Sequence, residues 1–170
     1  MSVHPTTFHE LYQQYAGDVY RFAHWLTGNP DDARDITSET FVRVWTAPEE
    51  PRMESVKAYL LTIVRNLCNK QWRRQSRQVA LDEAVHDQPD PAASPAQAAV
   101  QQEELRRTLD AMQRLPELDR TVLLLRADGE LSYEDIAATT GLSVAAAKVR
   151  VFRARAKLTA LLQTTDGERP

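Results

Sequence analysis

Residues 131–162, LSYEDIAATTGLSVAAAKVRVFRARAKLTALL, constrain the fold more than any other stretch, because their spacing fits two helices joined by a tight turn. Ser132 stands where it can cap a first helix, and Asp135 three residues later completes a capping-box pattern. Tyr133, Ile136, Ala137 and Thr140 recur at helical spacing. Gly141 falls where a helix is commonly ended by a left-handed residue, and Ser143 is placed to cap a longer second helix. That helix carries an apolar stripe of Val144, Ala147, Val151, Ala154, Leu158 and Leu161. Lys148, Arg150, Arg153, Arg155 and Lys157 occupy the rest, with no acid between Ser143 and Gln163. This is the outline of a helix-turn-helix, whose second helix enters the major groove of DNA. A plain αα-hairpin with a solvated basic face has a similar outline. Ala145 and Ala146 favour the DNA reading, since a solvated face would carry long polar side chains there, whereas bare alanines let a backbone approach another surface.

The rest of the chain is equally helical in pattern. Only five of 170 residues are Gly and 42% are apolar, which together with long helical periodicities predicts an all-α protein. The net charge of −3 excludes a general polycation, but charge is segregated along the chain, which matters more for binding. A single cysteine, Cys68, allows no internal disulfide and fits a reducing compartment. The start, MSVHPTTFHE, has neither the basic nor the apolar region of a secretion signal, so a cytoplasmic location is expected. Apolar runs such as Val122–Leu125 are far too short to span a bilayer, and no membrane insertion is expected.

A first helix is predicted from Thr7, with Glu10 as its capping partner and a stripe of Phe8, Leu11, Tyr12, Tyr15, Val19, Phe22, Ala23 and Leu26, ended by Gly28. Asn29 caps a second helix that opens on Pro30, Asp31 and Asp32 and stops at Ala47-Pro48. After the loop PEEPRME, Ser55 caps a third helix whose inward face is Leu60, Ile63, Val64 and Leu67. Its far end is cationic, with Arg65, Lys70, Arg73, Arg74 and Arg77 and no acid from Val56 to Leu81. Residues 76–98 hold prolines, small residues and acids without an apolar period, which predicts a flexible linker and two domains that move independently. Two helices follow, one with Leu105, Leu109, Met112 and Leu115 inward, one ended by Gly129, and the helix-turn-helix pair completes a four-helix domain.

No catalytic constellation, phosphate loop or metal-ligand spacing is present, so neither an enzyme nor a cofactor is expected. Cys68, beside the apolar stripe, reads as a small packing residue, and His24 as a helix-edge residue.

The order of these parts, DARDITSETFVRVW, then AYLLTIVRNLCNKQWRR, then LPELDRTVLLLRADGELSYEDIAATTGLSVAAAKVRVFRARAKL, resembles the extracytoplasmic-function (ECF, group IV) sigma factors of the sigma-70 family. The type it resembles holds only regions 2 and 4. The resemblance implies a three-helix region 2 over residues 5–75, a linker over 76–98 and a four-helix region 4 over 99–163. It implies docking of Asp35, Ser38, Glu39, Phe41 and Trp45 on the coiled coil of the RNA polymerase β′ subunit, with Ser38 where the family commonly has Gln. The segment from Ala47 to Ser55 matches the loop that captures a flipped base of the −10 element. Tyr59, Arg65, Asn66, Lys70, Arg73 and Arg74 are implied to engage −10 DNA, Tyr59 standing at a common melting Trp; Lys70 and Thr62 replace a usual Asp and Arg. An aromatic ring beside an amide suits single-stranded bases, which stack and are read at their edges. Ala145, Ala146, Lys148, Val149, Arg150 and Arg153 are implied to face the −35 element, with base specificity expected from Arg150 and Arg153; Ala145-Ala146-Ala147 replaces a common Gly-Thr-Val. The implied partners are core RNA polymerase, through the β′ coiled coil and the β flap, double- and single-stranded promoter DNA, and an anti-sigma factor.

Other readings of the same residues stand beside these. Tyr59 at helical spacing also suits a core position, and Asp35 with Glu39 also suits a solvated acidic face. A free-standing helix-turn-helix regulator is the competing function, though no dimer interface or effector pocket is apparent in the sequence.

Overall fold

The computed structural model describes residues 7–47, 55–78 and 95–167. Seven helices and no strand are found among them: α1 (Phe8–Thr27), α2 (Pro30–Thr46), α3 (Val56–Gln78), α4 (Pro95–Arg114), α5 (Glu117–Ala127), α6 (Tyr133–Thr140) and α7 (Val144–Gly167). Their ends follow the capping chemistry of the sequence. Glu10 N–H donates to Thr7 Oγ1 at 3.3 Å and Thr7 N–H donates to the Glu10 carboxylate at 2.9 Å, a closed capping box. Asn29 Oδ1 accepts from Asp31 and Asp32, Ser55 Oγ from Ala58, Ser132 Oγ from Asp135, and Ser143 Oγ from Ala146. Gly28 and Gly141 stop α1 and α6 with φ of 68° and 74°, the left-handed region that a side chain disfavours.

Two boundaries differ from the sequence expectation. α3 runs past residue 75 to Gln78, and α4 begins at Pro95, inside the stretch assigned to the linker. Proline is preorganised for the first position of a helix, and the following Ala and Gln are good helix formers. The composition that read as linker therefore also suits a helix start. The remaining linker residues, 79–94, lie outside the described residues. Leu105, expected inward, is 48% exposed, because the N-terminal part of α4 extends beyond the core.

α1, α2 and α3 pack together as the first lobe, and α4 to α7 form the second. The lobes do not stand apart. Phe22, Leu26, Leu60, Leu61 and Val64 of the first join Leu125 and Ile136 of the second in one continuous core, all fully buried. Each such side chain contributes roughly 1.5–3 kcal/mol when removed from water. Gly129 lets the chain after α5 lie close to α3: a Cβ there would stand 3.2 Å from Leu61 Cδ1 and 2.8 Å from the Leu125 carbonyl oxygen.

Polar contacts cross the same seam. Arg120, buried on α5, donates from Nη1 to the Leu26 carbonyl at 2.7 Å and to Gln113 Oε1 at 3.0 Å. Its Nε donates to the Met112 carbonyl at 2.8 Å, and its Nη2 to those of Gln113 and Leu115 at 3.0 and 3.1 Å. One guanidinium thus satisfies orphan carbonyls at the C-terminal ends of both α1 and α4, where the helix dipole favours a cation. Its carbon also lies 5.3 Å from the centre of the Trp72 ring on α3. Arg21 Nε reaches Asp128 at 2.6 Å, and the Thr62 and Thr139 hydroxyls share a hydrogen bond at 3.1 Å. The lobes, expected to move independently, are here packed on each other through a common core.

Candidate nucleic-acid interface

Three helical faces carry the residues singled out in the sequence. On α2, the core side is Ala33, Ile36, Thr37, Thr40 and Phe41, while Asp35, Ser38 and Glu39 are exposed. Phe41 therefore does not belong to an accessible docking face. It is 3% exposed, and its ring packs edge-on against Phe8 and Tyr12 with centroids 6.3 and 4.8 Å apart. The apolar residue that the sequence reading missed is its neighbour Val42, 55% exposed, one helical turn beyond Glu39. Trp45 is 69% exposed and rests edge-on against Phe8 at 4.9 Å. Glu39 pairs with Arg43 at 3.1 Å, an exposed contact worth little in water. The face is thus two carboxylates with a large apolar rim.

On α3, Asn66, Lys70, Arg73 and Arg74 are exposed and Tyr59 is half-buried. Tyr59, Asn66, Lys70 and Arg73 follow one another at helical spacing on one side. Arg65 does not share it. Its side chain is 17% exposed and turns into the seam, with Nε 3.4 Å from Glu117 and Nη1 donating to the Thr139 carbonyl at 3.4 Å. Residues 48–54, which hold most of the loop expected to capture a base, lie outside the described residues.

On α7, Ala147, Val151 and Ala154 are buried as the stripe predicts, and Ala145, Ala146, Lys148, Val149 and Arg153 are exposed. Arg150, with its side chain 40% exposed, also makes a contact within the protein. Its Nη1 donates to Asp119 Oδ1 at 2.8 Å, while Lys157 Nζ donates to Asp119 Oδ2 at 2.6 Å. The Asp119 side chain is 3% exposed. Burial alone would raise the Asp119 pKa, but the hydrogen bonds from Lys157 and Arg150 more than reverse this and hold it below the ordinary carboxylate range. Arg150 thus fixes α7 to α5. Asp119 was not apparent from the sequence, where it is only one acid of a first helical turn. Lys148 Nζ sits 5.6 Å from the centre of the Tyr133 ring, tying the two helices of the turn motif.

Elsewhere the chemistry is quiet. The buried Cys68 thiol is pushed up to about 12, chiefly by desolvation, as suits a packing residue. Among the described residues no group of His, Cys, Asp or Glu could hold a metal ion, and no helix is long and apolar enough to cross a membrane.

Two helical lobes, one with a cationic helix end and one with a helix-turn-helix, define a DNA-binding protein. Residues 11–78 match the family described as Sigma-70 region 2, and residues 105–158 match Sigma-70, region 4. The chain is 36% identical over 148 residues to the ECF RNA polymerase sigma factor EcfG of Rhodopseudomonas palustris, covering 86% of this chain and 80% of that one. It is 34% identical over 154 residues to the ECF RNA polymerase sigma factor SigE of Mycolicibacterium smegmatis, covering 88% of this chain but only 59% of SigE. In structure it is similar to the sigma factor RpoE in complex with the anti-sigma factor NepR from Bartonella quintana, with a TM-score of 0.75, 29% identity, and 92% and 96% of the two chains covered. The chain belongs to the ECF sigma factors of the sigma-70 family, which act in transcription initiation.

Proposed function

We propose that this sigma factor docks on core RNA polymerase through α2 and places α3 on the −10 element and α7 on the −35 element. The observation that carries the reading is the exposed face of Asp35, Ser38, Glu39, Val42 and Trp45 on α2, beside a cationic helix in each lobe. A partner with a cationic, partly apolar surface, as implied for the β′ coiled coil, is attracted by the carboxylates and held by Val42 and Trp45. On α3, Tyr59 supplies a ring for an unstacked base, Asn66 an amide for its edge, and Lys70, Arg73 and Arg74 charge for phosphates. On α7, Lys148 and Arg153 stand at the duplex. The β flap is the expected second contact on polymerase, and an anti-sigma factor a further expected partner, since the Bartonella relative was crystallised in complex with one. Work of this kind is expected beside the chromosome, in the cytoplasm, and asks no catalysis of the protein.

Gel filtration with core RNA polymerase, followed by run-off transcription on a pool of genomic promoters, tests the assignment. Co-elution and initiation at a defined subset of promoters are expected. A chain that ignores polymerase yet binds duplex DNA alone would establish the free-standing regulator instead.

A further inference from the structure

The outward face of α7 is not the basic face that its composition suggests. At 100° per residue, Ala145, Val149, Phe152 and Ala156 fall within ~30° of one line, opposite the buried Ala147, Val151 and Ala154. All four are exposed; Val149 is 48% and Phe152 75% accessible. Arg153 flanks the line on one side, and Lys148 and Arg155 flank it on the other. Arg150, the other candidate reader, is held by Asp119. The centre of the recognition helix therefore offers apolar contact rather than hydrogen bonds, and its edges offer charge.

Such a face fits a duplex that presents apolar groups between two rows of phosphates. In the major groove the only apolar group on a base edge is the thymine 5-methyl, and small aliphatic and Phe side chains are its usual contacts. We propose that Val149 and Phe152 determine −35 specificity by packing on thymine methyl groups, while Lys148, Arg153 and Arg155 hold the flanking phosphates. This rests on the assignment of α7 to the −35 element. The acid-free span from Val144 to Thr165 favours the polyanion over a protein partner for this face.

The test uses holoenzyme reconstituted from core RNA polymerase and this chain. Promoters are selected by run-off transcription from a pool randomised upstream of the start site, and the preferred −35 region is then synthesised with deoxyuridine replacing each thymidine in turn. Uracil keeps every hydrogen-bonding group and lacks only the methyl. Each methyl in contact should cost about fourfold in promoter binding when removed. Val149→Ala with Phe152→Ala should erase the difference between thymine and uracil while keeping a salt-dependent affinity for the promoter. Equal binding of thymine and uracil promoters by the unaltered protein, or a selected element without thymine, overturns the inference while the −35 assignment stands. If that happens and the double variant initiates normally, the face belongs to a protein partner. Selection of no upstream element at all overturns the −35 assignment itself, and this inference with it.

Discussion

At the scale of single residues, the buried Arg120 and Asp119 tie helices to one another. Arg120 is enclosed by carbonyl acceptors from two helix ends, and burial lowers its pKa from the ordinary arginine value without removing its charge. Arg120→Ala would strip a donor from Leu26, Met112, Gln113 and Leu115 together, and unsatisfied buried acceptors cost about 1–3 kcal/mol each where water cannot reach them. We expect a loss of about 3 kcal/mol, read as a lower midpoint in urea. Arg120→Lys should recover little of it, since a compact ammonium cannot span a fork of acceptors. Asp119 gives the protein an acid limit. Its folded pKa lies below its unfolded value, so its stabilisation is complete above the ordinary carboxylate range and is lost as pH falls through the lowered folded value. Asp119→Asn should therefore destabilise the protein at neutral pH and flatten the fall of its melting temperature on acidification. An acid limb as steep as that of the unaltered protein would assign the pH dependence to other groups.

At the scale of elements, α2 shows how finely a helix separates buried from exposed positions. Phe41 and Val42 are sequence neighbours 100° apart, and this alone sends one into the core and the other to the surface. Charge reversal on an exposed face changes stability by no more than about 0.5 kcal/mol, whereas a like-charge contact in an interface costs several kcal/mol. Glu39→Lys, alone or with Asp35→Lys, is thus expected to abolish association with core RNA polymerase while leaving the melting temperature nearly unchanged; normal co-elution of the double variant would remove α2 from the docking surface. Helix starts and stops were legible where they are written in local residues, such as Thr7 with Glu10, Asn29 before Pro30, and Ser143 after Gly141, but not at the end of α3 or the start of α4. The core stripe of α7 was legible for the same reason. Its outward Val149–Phe152 line was not, because the basic residues interleaved with it dominate the composition of that side. The resemblance implied Arg65 and Arg150 as DNA contacts, and both stand on cationic helices. Their partners, Glu117 with Thr139 for the one and Asp119 for the other, are distant in sequence, so no periodicity could pair them.

At the scale of the whole molecule, the closed seam alters what the two lobes do before polymerase is met. A linker composition predicts freedom only if the bodies it joins have nothing to bury against each other, and here they do. Leu61 lies against Gly129, Thr62 against Thr139 and Arg120 against the end of α1, so the core of each lobe is completed by the other. In this form Asn66, Lys70, Arg73 and Arg74 of α3 are exposed while Arg65 is enclosed. A protease site placed between residues 79 and 94 offers a direct measurement. If the shared core holds the lobes, the cleaved chain should elute as one particle and melt in a single transition close to that of the intact chain. The same cleavage in Arg120→Ala, which removes the hydrogen bond to Leu26, should release two separate fragments. Gly129→Ala is expected to weaken the seam by a different route. Its new methyl meets the Leu125 carbonyl and Leu61, and overpacking of this kind typically costs about 1–3 kcal/mol. Fragments of the unaltered protein that part on cleavage, each with its own transition, would show that the lobes are joined by the chain alone and that the seam adds no stability of its own.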